Sequence, residues 1–249
     1  MDKFVITESA FSHSGEKKDF NFDFSKFEKF KNKIIYLKIE EEPKDLKYEI
    51  KDGKKIEESI SIRANAIKRI AHQRNFLNEG IIGASKDDLI FYSDNDEIPN
   101  FQKVNLETNE NKIIIFKQKL FYYKFNLLCD WVDWYGTKGC KKKYLKSFSW
   151  LREIKTKRYP FFRLDTFFSD NKYIDLKIID DGGWHFSRLM SPKDMEIKLT
   201  NSEDHYEFKL AKIKLSDIED LVKRNNNGII IYLVVIDSAF NNGIHGGII

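Results

Sequence analysis

The spacing of apolar side chains predicts alternating strands and helices in the first hundred residues. Residues 2–7 and 33–39 are short β-prone runs of the kind that form buried or half-buried strands. From residue 57 to about residue 78, apolar side chains recur with a period near 3.6, and Gly80 follows as the expected C-terminal cap of a helix. Residues 88–92 form a compact apolar run that predicts another strand. A helix that leads into a strand is typical of α/β folds.

The second half of the chain is predicted to contain more strands, one loop and one short helix. β-prone runs indicate strands over residues 113–116, 120–123, 161–164, 174–179 and 228–236. Gly136 and Gly139 precede three lysines, so we expect a loop there with a solvated basic surface, or alternatively a phosphate-binding role. Ser191 as the cap and Pro192 at the first position predict a short helix over residues 192–199.

Composition favours one α/β domain over the whole chain, residues 1–249, with a tail from about residue 238 that matches no pattern and is expected to fray. The 21 Phe, 11 Tyr and 4 Trp are a heavy aromatic content, suited to a core or to stacking on sugars. Lys and Arg number 43 against 39 Asp and Glu, and a net charge of +4 is too small to indicate a nucleic-acid partner.

The sequence carries no signal for a membrane span, a secretory leader or a disulfide framework. No apolar run approaches the length of a transmembrane helix, and residues 1–9 lack the basic-then-apolar order of a signal peptide. Cys129 and Cys140 are too few for a disulfide scaffold, so we expect free thiols. These features predict a cytoplasmic protein without a transmembrane segment.

The sharpest chemical feature is the pair Asp94 and Asp96, which follows the hydrophobic strand of residues 88–92. Ligands of open α/β sheets bind beyond the carboxyl ends of the strands. Two carboxylates there suit Mg²⁺ or Mn²⁺, which can hold a diphosphate and neutralise its developing charge. An Asp-Asn-Asp sequence is also common in solvated turns, and a turn that merely ends the strand is the structural alternative.

Two other metal motifs can be compared with this segment by their spacing. A calcium-binding EF-hand loop that began at Asp94 would need Gly at its sixth position and Glu at its twelfth, where this chain has Pro99 and Asn105. A haloacid dehalogenase phosphatase would have Thr or Val two residues after the second aspartate, where this chain has Ile98. The second departure is mild, so metal-dependent phosphoryl transfer stays an alternative function.

Several separated motifs together resemble glycosyltransferase family 17, which includes the bisecting β-1,4-N-acetylglucosaminyltransferase. The two main segments are residues 93–99 (Ser-Asp-Asn-Asp-Glu-Ile-Pro) and 183–187 (Gly-Trp-His-Phe-Ser). Further matches in the same order are residues 7–9, 13–15, 73–75 and 121–123, Asn126, Trp134 and His205. The resemblance implies a GT-A-type fold, a UDP-N-acetylglucosamine donor, a glycan or glycoconjugate acceptor, and inversion at the anomeric carbon.

The chain also departs from the family pattern. Family members usually have another strand and helix before the segment that resembles residues 2–9. We therefore expect an α/β, GT-A-like fold, with a mixed, mostly parallel sheet flanked by helices, that lacks its first strand. A truncated relative that binds a carbohydrate or nucleotide sugar without catalysis is a second alternative function.

The site residues expected on the donor side come from the resemblance and from local chemistry. Asp94 and Asp96 are assigned to the metal and diphosphate, with Asp96 the more direct ligand, and His205 is the third candidate metal ligand. Contact with the donor is assigned to Arg74, Asp94, Glu97, Trp184 and His185. Each has a structural alternative: a solvated helix charge for Arg74, a core ring for Trp184, and a surface position for Glu97 and His205.

An inverting transfer needs a carboxylate that accepts the proton of the acceptor hydroxyl. Asp194, near the start of the short helix, falls close to an acidic position of the family and is ranked first. Asp181, immediately before Gly182 and Gly183, is ranked second. The acceptor side is assigned to rings and an amide, which suit the mixed apolar and hydroxyl surface of a sugar: Tyr122, Tyr123, Asn126 and Trp134.

Overall fold

The structure is a computed structural model that describes residues 2–47, 55–107, 110–157, 162, 168–172 and 175–223. The chain divides into two compact units. The first comprises Met1–Gly80 with Met190–Ile249, and the second comprises Ile81–Leu189. The single domain expected from composition stays a prediction, which this division does not test.

The described residues form a mixed α/β structure. The strands are β1 (Phe4–Ser9), β2 (Ile34–Ile39), β3 (Leu89–Tyr92), β4 (Glu97–Pro99), β5 (Ile113–Tyr122), β6 (Leu128–Lys141), β7 (Leu176–Ile179) and β8 (Gly183–Ser187). The α-helices are α1 (Lys55–Phe76), α2 (Phe148–Glu153), α3 (Pro192–Asn201), α4 (His205–Leu210) and α5 (Leu215–Lys223). Short 3₁₀ helices span Phe24–Lys33, Leu77–Ile81, Phe101–Lys103 and Lys142–Tyr144.

The first unit combines a two-stranded parallel sheet with helices. β1 pairs with β2 in parallel, from Phe4 opposite Ile34 to Ser9 opposite Ile39. Helix α1 contacts both strands, and α3 contacts α4 and α5. The predicted strands, the long helix and the short helix begin within a few residues of their expected positions. Ser191 caps α3 as predicted, because its hydroxyl accepts a hydrogen bond from the Asp194 N–H.

The second unit is built on a six-stranded mixed sheet with the order β3-β6-β5-β8-β4, and β7 also pairs with β5. β6 is antiparallel to β5 and β3, and β8 is antiparallel to β4. β7 and β8 run parallel to β5. The described pairings do not confirm the expectation of a mostly parallel sheet. Part of the reason is that β5 and β6 are joined by a short turn, and a short connection makes neighbouring strands antiparallel.

The core of the second unit surrounds β5. Ile113–Phe116 is a continuous apolar run whose four side chains are fully buried, as expected for a strand covered on both faces. Ile114 and Phe116 pack with Val104 and Ile179, and Phe91, Phe101 and Leu106 pack around this cluster. This buried strand pairs with the two strands, β6 and β8, that carry site residues.

Two predictions about the second unit are wrong. The loop expected around Gly136 and Gly139 is instead the inner part of the long strand β6. Each glycine is needed because another side chain occupies the space of a Cβ: the Gln118 amide beside Gly136 and the Phe91 ring beside Gly139. No strand was predicted at residues 97–99, but Glu97–Pro99 forms β4.

Other expectations agree with the structure or fall outside it. Both cysteines are buried free thiols, as predicted. Within the described part of the chain, helices of the length and apolarity needed to cross a bilayer are absent. The predicted strand at residues 228–236 and the tail from residue 238 lie outside the described residues, as does the strand at 161–164 apart from Phe162.

Candidate active site

The turn between β3 and β4 brings the predicted acidic residues together. β3 ends at Tyr92, and the Glu97 N–H closes the turn by donating to the Asp94 carbonyl over 3.1 Å. β4 then pairs with β8 so that Glu97 lies opposite His185. The structure therefore brings Asp94, Asp96, Glu97 and His185 together, although their sequence positions are up to 91 residues apart.

The Asp94 carboxylate is held from two sides. The Tyr92 hydroxyl donates to its Oδ1 over 2.6 Å, and the Arg152 guanidinium lies 3.1 Å from its Oδ2. Arg152 comes from α2, and its guanidinium also lies over the Trp134 ring, 5.6 Å from the ring centroid. Charge pairing and the hydroxyl contact together fix the orientation of Asp94.

Glu97 is the buried carboxylate beneath this turn, with 6% of its surface exposed. Trp134 Nε1 donates to its Oε1 over 3.0 Å, and the Asp94 N–H donates to its Oε2 over 3.2 Å. Arg152 lies 3.6 Å from Oε1. Burial raises the pKa of Glu97, and the charge of Asp94 adds to the rise, while the Arg152 charge and the two hydrogen bonds oppose it. Both oxygens are engaged, so Glu97 orients Asp94 and Trp134.

Asp96 lies beside His185 in the same cluster. Its Oδ1 is 3.3 Å from His185 Nε2, and a quarter of the Asp96 side chain is exposed. The His185 ring packs against Trp134 with ring centroids 4.2 Å apart. His185 Nδ1 is buried without a hydrogen-bond partner among the described residues. Trp134, predicted for the acceptor side, is thus part of the same cluster as the predicted donor-side residues.

A polar layer supports the cluster from within the sheet. The Ser93 and Thr137 hydroxyls are 2.7 Å apart, and the Gln118 amide nitrogen donates to Thr137 over 3.3 Å. Thr137 is fully buried and Gln118 nearly so. Gly136 lets this layer pack against Glu97, because a Cβ at Gly136 would come within 2.9 Å of the Glu97 carboxyl carbon. The layer holds the β3–β4 turn against β6.

The metal assignment can be tested against these residues. The described part of the chain contains no group of three His, Cys, Asp or Glu side chains placed to hold a metal ion. Mg²⁺ is commonly bound through only one or two carboxylates together with substrate phosphates and water. Asp96, partly exposed at the edge of the site, fits that kind of ligand, and Asp94 is adjacent but already paired with Arg152.

The backbone at the start of β8 passes close to that of β4. Gly183 has φ of +122°, and a Cβ there would lie 2.0 Å from the Ile98 carbonyl oxygen. Trp184 follows and is 39% exposed, so it is not the core ring of the structural alternative. Asp181 is an exposed turn residue that pairs with Lys119 at 3.0 Å and Lys103 at 3.4 Å. The hydrogen bonds from these two lysines lower the pKa of Asp181.

The other predicted acceptor residues lie at the turn between β5 and β6. Tyr123 is buried with φ of +62°, and burial raises the pKa of its hydroxyl to about 12. The Arg188 guanidinium lies 5.5 Å from the centroid of the Tyr122 ring, and Asn126 is exposed. Of these three residues, Tyr122 and Asn126 retain exposed surface.

Three predicted site residues belong to the first unit. Arg74 lies in the last turn of α1. Asp194 is exposed in the first turn of α3, where the Ser191 hydroxyl donates to its carboxylate over 2.6 Å. His205 begins α4, and its Nδ1 is 2.8 Å from the Ser202 carbonyl oxygen. The Ser191 hydroxyl is thus hydrogen-bonded to both the backbone and the side chain of Asp194, a structural role that the predicted catalytic role must accommodate.

Two contributors to the cluster, Tyr92 and Arg152, were not predicted. Tyr92 could have been suspected, because it ends the strand two residues before Asp94. Arg152 has no such signal in its own segment, since its role depends on α2 packing beside β6 and β3.

Comparison with known proteins gives one match. The model of glycosyltransferase family 17 matches residues 1–140, more than half of the chain, and this range includes Asp94, Asp96, Glu97 and Trp134. Neither the curated proteins nor the solved structures gave a match. Because the family model matches more than half of the chain, and the matched range includes the acidic turn, the chain belongs to glycosyltransferase family 17.

Proposed function

We propose that this protein transfers N-acetylglucosamine from a UDP-sugar to a glycan or glycoconjugate acceptor, with inversion at the anomeric carbon. The observation that carries the proposal is the ordered Asp94-Asn95-Asp96 turn, in a chain that belongs to a glycosyltransferase family. The GT-A-like character of the fold, the donor and the stereochemistry rest on the resemblance to that family.

The donor side of the proposed site is the β3–β4 turn with its surroundings. Asp96, and Asp94 beside it, would hold Mn²⁺ or Mg²⁺, which when bound neutralises charge on the leaving diphosphate. Glu97 and Arg152 keep the turn in place through the contacts of Asp94. Trp184 is next to His185 in β8, and successive side chains of a strand point to opposite faces. Its exposed ring therefore faces away from the contact between His185 and Asp96.

In the transfer step the acceptor hydroxyl loses its proton to a carboxylate as its oxygen attacks the anomeric carbon. The bond from that carbon to the UDP oxygen breaks, and UDP leaves with the bonding electrons. Asp194 remains the first candidate for the base and Asp181 the second. The Lys119 and Lys103 contacts lower the pKa of Asp181, which makes it a weaker base than an aspartate without such partners. We assign acceptor contacts to Tyr122 and Asn126, which retain exposed surface.

A nucleotide-sugar-binding protein without turnover is the second candidate. The observation that favours it is the existing pairing of Asp94 with Arg152 and Tyr92, which leaves fewer carboxylate oxygens for a metal. The first candidate predicts turnover of a UDP-sugar, and the second predicts binding alone. Phosphate release from a phosphomonoester would instead indicate phosphoryl transfer.

Titration calorimetry with UDP tests the donor site. Wild-type protein should bind UDP about tenfold or more tightly with Mn²⁺ than with chelator, because a cation must separate the carboxylates from the diphosphate. Asp96→Asn should remove most of this difference, since an amide is a poorer ligand for a hard cation. Asp130→Asn, the same change at an exposed position on β6, serves as the control. Equal affinity with and without metal in the wild type would remove the metal assignment.

A further inference from the structure

The 3₁₀ segment Phe24–Lys33 projects an unusual combination of side chains from the first unit. Every residue from position 25 to position 33 is exposed. The segment contains four lysines, one glutamate and three phenylalanines. Phe27 is 42% exposed and Phe30 is 45% exposed, although large apolar side chains are usually buried.

Two of the three phenylalanines of this segment, Phe24 and Phe27, pack on other aromatic rings of the first unit. Phe24 packs edge-on against Tyr36 of β2, with ring centroids 5.8 Å apart. Phe27 stacks on Phe22 at 5.3 Å. The backbone departs from helical geometry at Phe27, so the segment consists of two short 3₁₀ turns.

Basic side chains surround the two exposed rings. The segment itself supplies Lys26, Lys29, Lys31 and Lys33, and Lys3 joins them because its ammonium donates to the Asn32 carbonyl over 3.1 Å. Glu28, at 3.4 Å from Lys31, is the acidic residue within the segment. We call these seven basic and aromatic residues the Phe–Lys ridge: Lys3, Lys26, Phe27, Lys29, Phe30, Lys31 and Lys33.

We propose that the Phe–Lys ridge binds the surface of anionic lipid bilayers. Aromatic rings enter the boundary between headgroups and acyl chains, and lysines beside them attract anionic lipids. The ridge offers both kinds of group on one exposed segment. Single-stranded nucleic acid, the other polyanion that aromatic and basic residues bind, is usually held in a basic groove, whereas these residues lie on a fully exposed segment. This inference is independent of the proposed transferase activity.

Vesicle co-sedimentation of the full chain tests the proposal. The wild type should bind vesicles with 30% phosphatidylserine about tenfold or more strongly than phosphatidylcholine vesicles, and less strongly as salt rises. Lys29→Glu/Lys31→Glu should weaken binding at least about twentyfold, because each lysine near the surface contributes about fivefold. Phe27→Ser/Phe30→Ser should also weaken binding about tenfold or more while leaving the net charge unchanged.

A matched control lies on α3, where Ile197 is 53% exposed beside the exposed Lys198. Ile197→Ser/Lys198→Glu should bind vesicles about as well as the wild type. The circular dichroism spectra of both ridge variants should match that of the wild type, which separates lost membrane binding from misfolding. Equal binding to neutral and anionic vesicles, or full binding by Phe27→Ser/Phe30→Ser, would overturn the proposal. So would ridge-dependent binding to single-stranded RNA without binding to vesicles.

Discussion

Replacing Arg152 by Met should destabilise the protein and reveal the buried charge of Glu97. The guanidinium bridges Asp94 at 3.1 Å and Glu97 at 3.6 Å, and it lies over Trp134. Methionine keeps an unbranched side chain on α2 and an apolar contact with the ring, but it removes the positive charge. Glu97, with 1% of its side chain exposed, is then left without a charged partner.

The size of the expected stability loss follows from how deeply Arg152, Asp94 and Glu97 are buried. Removing one partner of a fully buried ion pair costs about 3–5 kcal/mol, whereas surface pairs contribute about 0–1 kcal/mol. The Arg152 side chain is 18% exposed and that of Asp94 is 30% exposed, so we expect a loss of about 2–4 kcal/mol. Lys146→Met, which breaks a pair with Asp170 on the surface, should have little effect.

The loss of stability in Arg152→Met should be larger at high pH than at low pH. Burial already raises the pKa of Glu97 and Arg152 opposes the rise, so removing Arg152 raises this pKa further. A carboxyl whose pKa is raised in the folded state contributes stability at low pH that is lost as pH rises through the folded pKa. Urea denaturation should therefore show a larger deficit for Arg152→Met at pH 8 than at pH 5. A deficit below about 0.5 kcal/mol, or one of equal size at both pH values, would refute the reasoning.

Three other predictions address different parts of the structure. Glu8→Gln should destabilise the protein at pH 7 and have little effect near pH 2 in urea denaturation. Burial raises the pKa of Glu8, but hydrogen bonds from Asn21, Tyr36, Lys18 and Phe22 lower it to about 2. The ionised carboxylate therefore contributes at most about 3 kcal/mol to the free energy of unfolding. This contribution is lost as pH falls from about 4.5 to 2. Gly183→Ala should destabilise the protein strongly, because a Cβ at this position collides with a backbone carbonyl of β4. A melting temperature equal to that of the wild type would contradict the described pairing of β4 with β8. Asp194→Ala should lower turnover about a hundredfold or more with donor affinity unchanged, whereas Asp181→Ala should disturb binding or folding. If Asp181→Ala alone loses turnover while it still binds UDP, the two roles must be exchanged.

The sequence predicted those helices and strands whose conformation depends on residues close together in the chain. The apolar period of α1 and the Ser191-Pro192 start of α3 indicated these helices, because helix period and capping depend on residues a few positions apart. The end of β3 also indicated where the acidic residues would lie. The same local reasoning failed at Gly136 and Gly139, where the glycines serve the packing of β6 against side chains of β5 and β3.

The rest of the candidate site depends on contacts between distant positions. The pairing of Glu97 with His185 follows from the addition of β8 to the sheet, which no periodicity in residues 183–187 could show. The contact of Arg152 with Asp94 requires α2 to pack beside β3. A lone arginine in a short helix has the same local pattern whether it is solvated or paired, so its partner could not be identified from its neighbours in sequence.

The most direct test of the proposed function is sugar transfer itself. Purified protein with Mn²⁺ and UDP-N-acetylglucosamine would be incubated with a defined mixture of mannose-terminated and N-acetylglucosamine-terminated oligosaccharides, and products followed by mass spectrometry and NMR. We predict that the wild type forms a product one N-acetylglucosamine larger, with the β configuration at the new linkage, and that folded Asp96→Asn forms none. Equal product from both proteins, or no turnover by a wild type that binds UDP, would contradict this account.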